Sequence, residues 1–176
     1  MKQTKIFDKL KSSKKSEIFL VVGKKGTGKT TFVLNKKTKK NLTVYITDRF
    51  ISEMDENDII LHYSKLKEVA NFLQNCKIIF DDCRNYIIAN SETYKIVERI
   101  LISSRHSDNE VFLIYHSVNE IPERFFSKCD FIIIFKNNSE LDNVKFFDLS
   151  LRDKIIFANE KLKKSNNLYA YEIIEI

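Results

Sequence analysis

The sequence contains little glycine, proline or cysteine, and no tryptophan. Of its 176 residues, 3 are glycine, 1 is proline and 3 are cysteine. Cys76, Cys83 and Cys129 are odd in number, widely spaced and form no C-x-x-C pair. This pattern argues against both a disulfide framework and a zinc site. We therefore expect a protein of a reducing compartment, the cytoplasm.

Long apolar segments are also absent. Uninterrupted apolar runs, such as Phe131 to Phe135, do not exceed 5 residues, whereas a helix that spans a bilayer needs roughly 20. The Lys-rich start has no apolar region of the kind found in a signal peptide. We expect a chain without a transmembrane segment.

Acidic residues are scarce in the N-terminal part, which is the source of the positive net charge of the whole chain, +6. Residues 1–40 contain 13 Lys and 2 acidic residues, and the rest of the chain has 17 Lys+Arg against 22 Asp+Glu. Such lysine clusters suit phosphate backbones or anionic surfaces, and a merely solvated Lys-rich face is the alternative. We predict a basic arm over residues 1–16. A single domain over 17–176 follows, with a core at 17–136 and a C-terminal extension at 137–176.

Short apolar runs alternate with helical patterns along the chain. The continuous apolar run at residues 18–22 predicts a strand buried on both faces. Predominantly apolar runs predict further strands, at residues 42–46, 77–80, 111–115 and 131–135. Helical spacing and capping residues predict helices, over about 29–37, 64–73 and 91–104. Beyond residue 137 we predict an edge strand, a helix and a terminal strand, over 144–149, 151–163 and 168–174. The fold class is therefore α/β, with a mostly parallel central sheet flanked by helices on both faces and a ligand at the carboxyl ends of its strands.

The segment between the first strand and the first helix reads Gly23-Lys24-Lys25-Gly26-Thr27-Gly28-Lys29-Thr30. It matches the phosphate-loop pattern G-x-x-x-x-G-K-[ST] in the structural setting that this pattern requires. The glycines let backbone N–H groups surround a phosphate. Lys29 is expected to reach the β- and γ-phosphates of ATP, Thr30 to bind Mg²⁺, and Thr31 to contact the α-phosphate.

The distribution of glycine makes a chance match improbable. Average usage would give roughly 12 glycines in a chain of this length, but the 3 present are all inside this loop. Glycine is thus used only where a phosphate-binding backbone needs it.

An acidic pair follows the predicted strand at 77–80, as in a Walker B segment. We predict that Asp81 contacts Mg²⁺ through water and that Asp82 polarises the attacking water. Apolar strands that end in acids are common, so the alternative is a structural pair.

Polar residues also flank the next predicted strand. His116 and Ser117 follow it and could hold the attacking water or sense the γ-phosphate, although strand ends are generally polar. Arg105 is a candidate arginine finger that reaches the nucleotide of a neighbouring subunit. Its competitors are Arg84, Arg99 and Arg124.

Together, GKKGTGKT, the acids of IIFDDC, and SSRHSDNEVFLIYHS ahead of FIIIF resemble the FtsK/HerA-like ATPases over about residues 17–136. The likeness is to the small genome-packaging ATPases of tailless phages and large DNA viruses, including the poxvirus type. It implies an ASCE/RecA-like fold and a homo-oligomeric ring of five or six subunits. It also implies ATP-driven movement of double-stranded DNA into a capsid, contact with capsid vertex proteins, and a location in the host cytoplasm or with the virion.

This sequence departs from the family at His116, where members often have Gln, and at Asp82, where many have Glu. Two other functions stay open. A small nucleotide or metabolite kinase would need an Arg-rich lid, whereas the arginines here are dispersed. A nucleotide-gated assembly subunit, related to the zot-like ATPases of filamentous phages, would bind ATP with negligible hydrolysis.

Overall fold

A computed structural model describes residues 16–40, 42–49, 58–137 and 148–176. Within these residues, seven strands form one sheet in the spatial order β3-β2-β4-β5-β1-β6-β7. All neighbours pair in parallel except β6 and β7, which are antiparallel. The strands are β1 Ile18–Val22, β2 Leu42–Thr47, β3 Asp58–His62, β4 Cys76–Phe80, β5 Glu110–Tyr115, β6 Phe131–Phe135 and β7 Tyr171–Glu175.

Five α-helices connect or follow these strands in the described residues. They are α1 Lys29–Asn35, α2 Leu66–Val69, α3 Glu92–Ser103, α4 Glu123–Phe126 and α5 Leu149–Lys164. Ser91 caps α3, its side chain accepting from the Tyr94 N–H, and Asp148 caps α5 by accepting from the N–H groups of Ser150 and Leu151. None of these helices is long and apolar enough to cross a bilayer.

Helices cover the sheet on both faces, as the sequence predicts. On one face Leu20 and Val22 of β1 belong to a core cluster with the apolar sides of α3 and α5. On the other face Phe19 and Val21 pack with Val33 of α1. Each central strand is therefore buried on both faces, which explains its continuous apolar sequence.

The strands predicted for the core are confirmed. The structure differs from the prediction in an edge strand, in one helix and in the C-terminal segment. β3 was not predicted because its side chains are only half-buried or exposed, so its sequence lacks a continuous buried run. The helix predicted over 64–73 is only α2, flanked by two 3₁₀ turns. All three cysteines are buried and unpaired.

The edge strand predicted over 144–149 is wrong for its last two residues. Residues 144–147 lie outside the described residues, but Asp148 caps α5 and Leu149 begins it. The terminal strand starts at Tyr171 rather than at 168, because Leu168 and Tyr169 form a turn before it. Residues 1–15 of the predicted basic arm also lie outside the described residues.

The strand order determines which side chains can meet. β5 lies between β1 and β4. The residues that follow these three parallel strands, at positions 23, 81–82 and 116–117, therefore lie at the same edge of the sheet.

Candidate nucleotide-binding site

The phosphate loop, residues 23–30, joins the end of β1 to the start of α1. Gly26 and Gly28 adopt left-handed conformations with φ of 83° and 84°, which residues with a Cβ rarely adopt. Gly23 is needed for space, because a Cβ there would lie 2.5 Å from the Cβ of Phe135. Each glycine thus has a physical reason to be in the loop.

The loop is tied to the strands on both sides of β1. The Gly23 N–H donates to the carbonyl of Tyr115 at 3.2 Å, and the Lys24 N–H donates to the carbonyl of Lys136 at 3.1 Å. The buried Thr27 hydroxyl donates to the Lys24 carbonyl at 2.7 Å. These bonds fix the loop before any ligand binds.

Lys29 is buried under the loop. Its Nζ donates to the carbonyls of Gly23 at 2.6 Å and Lys24 at 3.1 Å, and lies 3.4 Å from Nδ1 of His116. Burial lowers the pKa of Lys29, and the charges of Asp81, Asp82 and Glu120 act in the opposite direction. A cation is therefore held where anionic phosphates would sit.

The other loop residues differ in exposure. Lys24, Lys25 and Thr31 are exposed, and Thr30 is half-buried in the first turn of α1. The exposed lysines remain available to a ligand that enters from solvent.

Asp81 follows β4 and is held from two sides. The hydroxyl of Tyr45, on β2, donates to Oδ2, and the N–H of Asp82 donates to Oδ1 at 3.0 Å. Burial raises the pKa of Asp81, the hydrogen bond from Tyr45 opposes this, and the charge of Asp82 adds to it. A divalent cation near this carboxylate would favour its ionised form.

Asp82 connects two basic side chains. Its backbone is left-handed, with φ of 49°, and its Oδ1 lies 2.5 Å from Nε2 of His116. Oδ2 forms a salt bridge with Nη2 of Arg49 at 2.9 Å. A continuous series of contacts thus runs from Arg49 through Asp82 and His116 to Lys29.

The turn after β5 positions His116. Oε2 of Glu120 accepts from the N–H groups of His116 and Ser117, at 3.1 and 3.2 Å. The Ser117 hydroxyl accepts from the N–H of Asn119 and completes a capping box with Glu120. Ser117 therefore shapes the turn, and His116 is the side chain that contacts Asp82 and Lys29. Nη1 of Arg84 donates to Oε1 of Glu120 at 2.9 Å.

Arg105 lies near the amino ends of the central strands, opposite the phosphate loop. Its Nη2 donates to Oδ1 of Asp130 at 2.8 Å, and Oδ2 of Asp130 accepts from the N–H of Ile18 at 2.9 Å. Ile18 begins β1, whereas Gly23 follows its end, roughly 16 Å away at about 3.3 Å per residue. Arg105 therefore does not join the site of its own chain.

The sequence did not indicate three side chains of this site: Tyr45, Arg49 and Glu120. Tyr45 lies in β2 and Arg49 follows that strand, and both precede the acidic pair by more than thirty residues. The polar residues that end β2 were the available signal, but only the order of strands shows that β2 lies beside β4.

A Mg²⁺ ion held with a nucleotide fits these residues. Among the residues described, no cluster of three or more His, Cys, Asp or Glu side chains could hold a metal alone. Mg²⁺ in phosphate-loop proteins needs one or two oxygen side chains, because phosphates and water supply the rest. Thr30 and Asp81 provide that donor set at the same edge of the sheet.

No family model matches this chain, and no curated protein matches it in sequence. Its fold is similar to solved structures. The genome-packaging NTPase B204 of Sulfolobus turreted icosahedral virus 2, in complex with AMP, is 16% identical with a TM-score of 0.65, over 92% of this chain and 93% of that one. B204 from Sulfolobus turreted icosahedral virus, described as a DNA-packaging ATPase, is 17% identical with a TM-score of 0.66, over 91% and 92%.

A third similar structure is the N-terminal domain of zonular occludens toxin from Neisseria meningitidis. It is 16% identical with a TM-score of 0.53, over 70% of this chain and 78% of that one. The resemblance seen in the sequence is thus confirmed at the level of the fold, which this chain shares with viral packaging NTPases.

Proposed function

We propose that this chain binds ATP with Mg²⁺ at residues 23–31, hydrolyses it, and uses the energy to translocate double-stranded DNA into a viral capsid. The observation that carries the proposal is the contact series at the end of β5. Lys29 Nζ lies 3.4 Å from Nδ1 of His116, and Nε2 of the same ring contacts Asp82. A phosphate-binding cation, an acid and a candidate sensor are therefore in direct contact.

Each residue has a distinct role in this proposal. Lys29 exchanges its bonds to loop carbonyls for bonds to phosphate oxygens, and Thr31 contacts the α-phosphate. Thr30 and Asp81 hold the Mg²⁺, which when bound neutralises charge on the β- and γ-phosphates. Asp82 accepts a hydrogen bond from the attacking water, and His116 reports the state of the γ-phosphate to Asp82.

The assembly in this proposal is a homo-oligomeric ring of five or six subunits. Arg105 reaches the nucleotide of the neighbouring subunit, which agrees with its distance from its own phosphate loop. The lysines of the basic arm contact DNA phosphates. The structurally similar B204 proteins support packaging, since they are a genome-packaging NTPase and a DNA-packaging ATPase. We place this function in the host cytoplasm, with capsid vertex proteins as partners.

The test is the ATPase rate of the full chain with and without double-stranded DNA, over a range of salt concentrations. We expect DNA to raise the rate, and salt to weaken both DNA binding and stimulation. The rate of the variant Lys29→Ala, measured in parallel, gives the contribution of contaminating ATPases, which is then subtracted. An assembled wild-type protein with no DNA stimulation and no salt-sensitive DNA binding would contradict translocation.

A second candidate is a nucleotide-gated assembly subunit with negligible hydrolysis. One observation favours it: both carboxylate oxygens of Asp82 already have partners, in Arg49 and His116. The fold is also similar to the zonular occludens toxin domain. Single-turnover measurements on the full chain separate the candidates, because this one predicts bound ATP that stays intact.

A further inference from the structure

A large open cavity adjoins the phosphate loop on the side away from the acidic pair. Its volume is about 1010 Å³. α1 and the two residues after it form one wall, from Thr31 to Lys37. The end of β6, Tyr169 and the first residue of β7 form the other. None of the residues that handle the γ-phosphate in the proposed function lines this cavity.

The strand order indicates which end of a nucleotide would face the cavity. Asp81, Asp82 and His116 follow β4 and β5, which lie on one side of β1, whereas β6 and β7 lie on the other. A triphosphate in the loop with its γ-phosphate toward the acidic pair has its α-phosphate toward α1 and β6. The nucleoside then leaves the loop into the cavity.

Tyr169 is placed at this exit. Its ring lies over Gly28, since a Cβ built on that glycine would be 3.2 Å from the ring atom Cδ1. Tyr169 is 62% exposed, so much of the residue is accessible to a ligand. Tyr169 belongs to the C-terminal extension, outside the residues that carry the sequence resemblance.

The backbone of this segment is held in place. The Tyr169 N–H donates to Oδ1 of Asn167 at 2.9 Å, and Nζ of Lys136 donates to the carbonyl of Ser165 at 2.8 Å. Lys136 also accepts, through its carbonyl, the N–H of Lys24 in the phosphate loop. Tyr169 is thus connected to the loop over which its ring lies.

The rest of the cavity is aromatic at its base. Phe32, Phe135 and Tyr171 pack on one another, with ring centroids 4.9 to 5.6 Å apart. Two of the polar side chains in the lining are engaged elsewhere: Thr27 with the Lys24 carbonyl and Lys36 with Glu110. The other polar side chains of the lining, Thr31, Asn35 and Lys37, are exposed and lie on α1 or just after it. The remaining lining offers ring faces to a base.

We propose that Tyr169 binds the base of the nucleoside triphosphate by stacking, so that the site takes nucleoside triphosphates as a class and discriminates weakly between ATP and GTP. This inference rests on the proposed binding of a nucleotide at residues 23–31. Stacking on an aromatic ring tolerates different bases because each base has a π-face. Selection between bases requires hydrogen bonds to their edges.

The test compares two ligands that share the phosphates but not the base. Dissociation constants of ATP and of inorganic tripolyphosphate, both with Mg²⁺, are measured by calorimetry on the full chain. Tyr169→Ala is expected to weaken ATP binding by about 5- to 150-fold, the range that loss of one stacked base gives. Tripolyphosphate binding should change by less than about twofold, since it has no base to lose.

Three further variants complete the experiment. Tyr169→Phe keeps the ring and should retain ATP affinity, whereas Tyr169→Leu keeps apolar bulk without the ring and should lose it. Phe72→Ala removes the side chain of an aromatic residue that is 80% exposed in a 3₁₀ turn. This control should change the affinity for neither ligand.

The outcomes separate this inference from the proposed function. Equal weakening of ATP and tripolyphosphate by Tyr169→Ala, or no weakening of ATP, overturns the role of Tyr169 while phosphate binding stands. A wild-type chain that binds neither ligand overturns both proposals. A wild-type preference for ATP over GTP of more than about 100-fold contradicts weak discrimination, because that ratio requires readout of the base edge.

Discussion

At the scale of single residues, the site combines buried groups that oppose each other electrostatically. Asp82 is the clearest case, because it contacts Arg49 and His116 and lies next to the half-buried Asp81. Its role in hydrolysis can be separated from its role in structure, since an amide of the same shape keeps hydrogen-bonding capacity but loses the charge.

We expect Asp82→Asn to lower kcat for ATP hydrolysis by about 10²- to 10⁴-fold, the usual contribution of a general base. The dissociation constant of ATP should change little, because Lys29 and the loop backbone remain. Steady-state kinetics and equilibrium binding measure the two quantities. Asp48→Asn, at the end of β2, is the matched control for loss of a nearby carboxylate. Unchanged kcat in Asp82→Asn would assign water activation to another residue.

Lys77 is a buried lysine near the amino end of β4, whereas the acidic pair follows the carboxyl end of this strand. Its Nζ donates to the carbonyls of Val33, Leu34 and Lys36, at 2.6, 3.3 and 2.9 Å, and so caps the last turn of α1. Burial lowers the pKa of Lys77 to about 8 from an ordinary value of 10.5, and the charge of Glu110 acts in the opposite direction. This side chain joins the strand of the acidic pair to the helix of the phosphate loop.

The lowered pKa predicts a pH dependence of stability. Between pH about 8 and 10.5 the folded chain has released the Lys77 proton while the unfolded chain still holds it. The unfolded state then binds more protons, so the Lys77 contribution to the free energy of unfolding rises with pH across this window. Urea unfolding at several pH values, compared with Lys77→Met, measures it. The exposed Lys95→Met is the control for loss of a charge, and a Lys77→Met slope equal to that of wild type would contradict the prediction.

At the scale of elements, the phosphate loop and α1 depend on two different properties of glycine. Gly26 has φ of 83° with nothing within 4 Å of its Cβ position, whereas a Cβ on Gly23 would meet that of Phe135 at 2.5 Å. The backbone conformation limits which residues can replace Gly26, and the available space limits which residues can replace Gly23.

Asparagine substitutions distinguish these two limits, because Asn tolerates the left-handed region better than Ala. Gly26→Ala should lower the free energy of unfolding by about 1–2 kcal/mol, and Gly26→Asn by less. At Gly23 the larger Asn should cost more than Ala, because it forces a greater displacement of β6. Urea denaturation of the four variants gives the order, and the same order at both positions would refute this explanation.

The elements predicted from sequence are those whose pattern follows from burial. β1 and β6 are continuous apolar runs, and β4 and β5 are predominantly apolar, because both faces of these strands are covered. The phosphate loop has a fixed spacing. β3 was not predicted because an edge strand with half-exposed side chains has no such run. The contacts of Asp81 with Tyr45, and of Asp82 with Arg49, depend on β2 lying beside β4. Sequence order does not specify that neighbour relationship.

At the scale of the whole molecule, the two ends of β5 face different surroundings. His116 at its carboxyl end contacts Lys29, and the turn before its amino end carries Arg105, which pairs with Asp130. In the proposed ring, each nucleotide site takes its phosphate loop from one subunit and its arginine from the next.

Mixing experiments test this division between subunits. We expect Arg105→Ala and Lys29→Ala each to abolish most ATPase activity, because an arginine finger contributes about 10³- to 10⁵-fold. A mixture of the two variants should regain part of it, since some sites combine an intact loop from one subunit with an intact Arg105 from the other. ATPase rate against mixing ratio is the measurement, with Asp130→Asn as the control for loss of the Arg105 partner alone. Mixtures no more active than either variant would exclude Arg105 from action between subunits.

β5 lies in the interior of the sheet, hydrogen-bonded to β1 on one side and β4 on the other. A strand of 6 residues is about 20 Å long, and one fixed by two neighbours cannot slide or stretch by itself. It therefore acts as a rigid spacer between the histidine at one end and the arginine at the other. In the proposed ring, a change at one nucleotide would then reach the next by rotation of the whole subunit, and the step size of such a motor would be set by the pivot between subunits rather than by deformation within one.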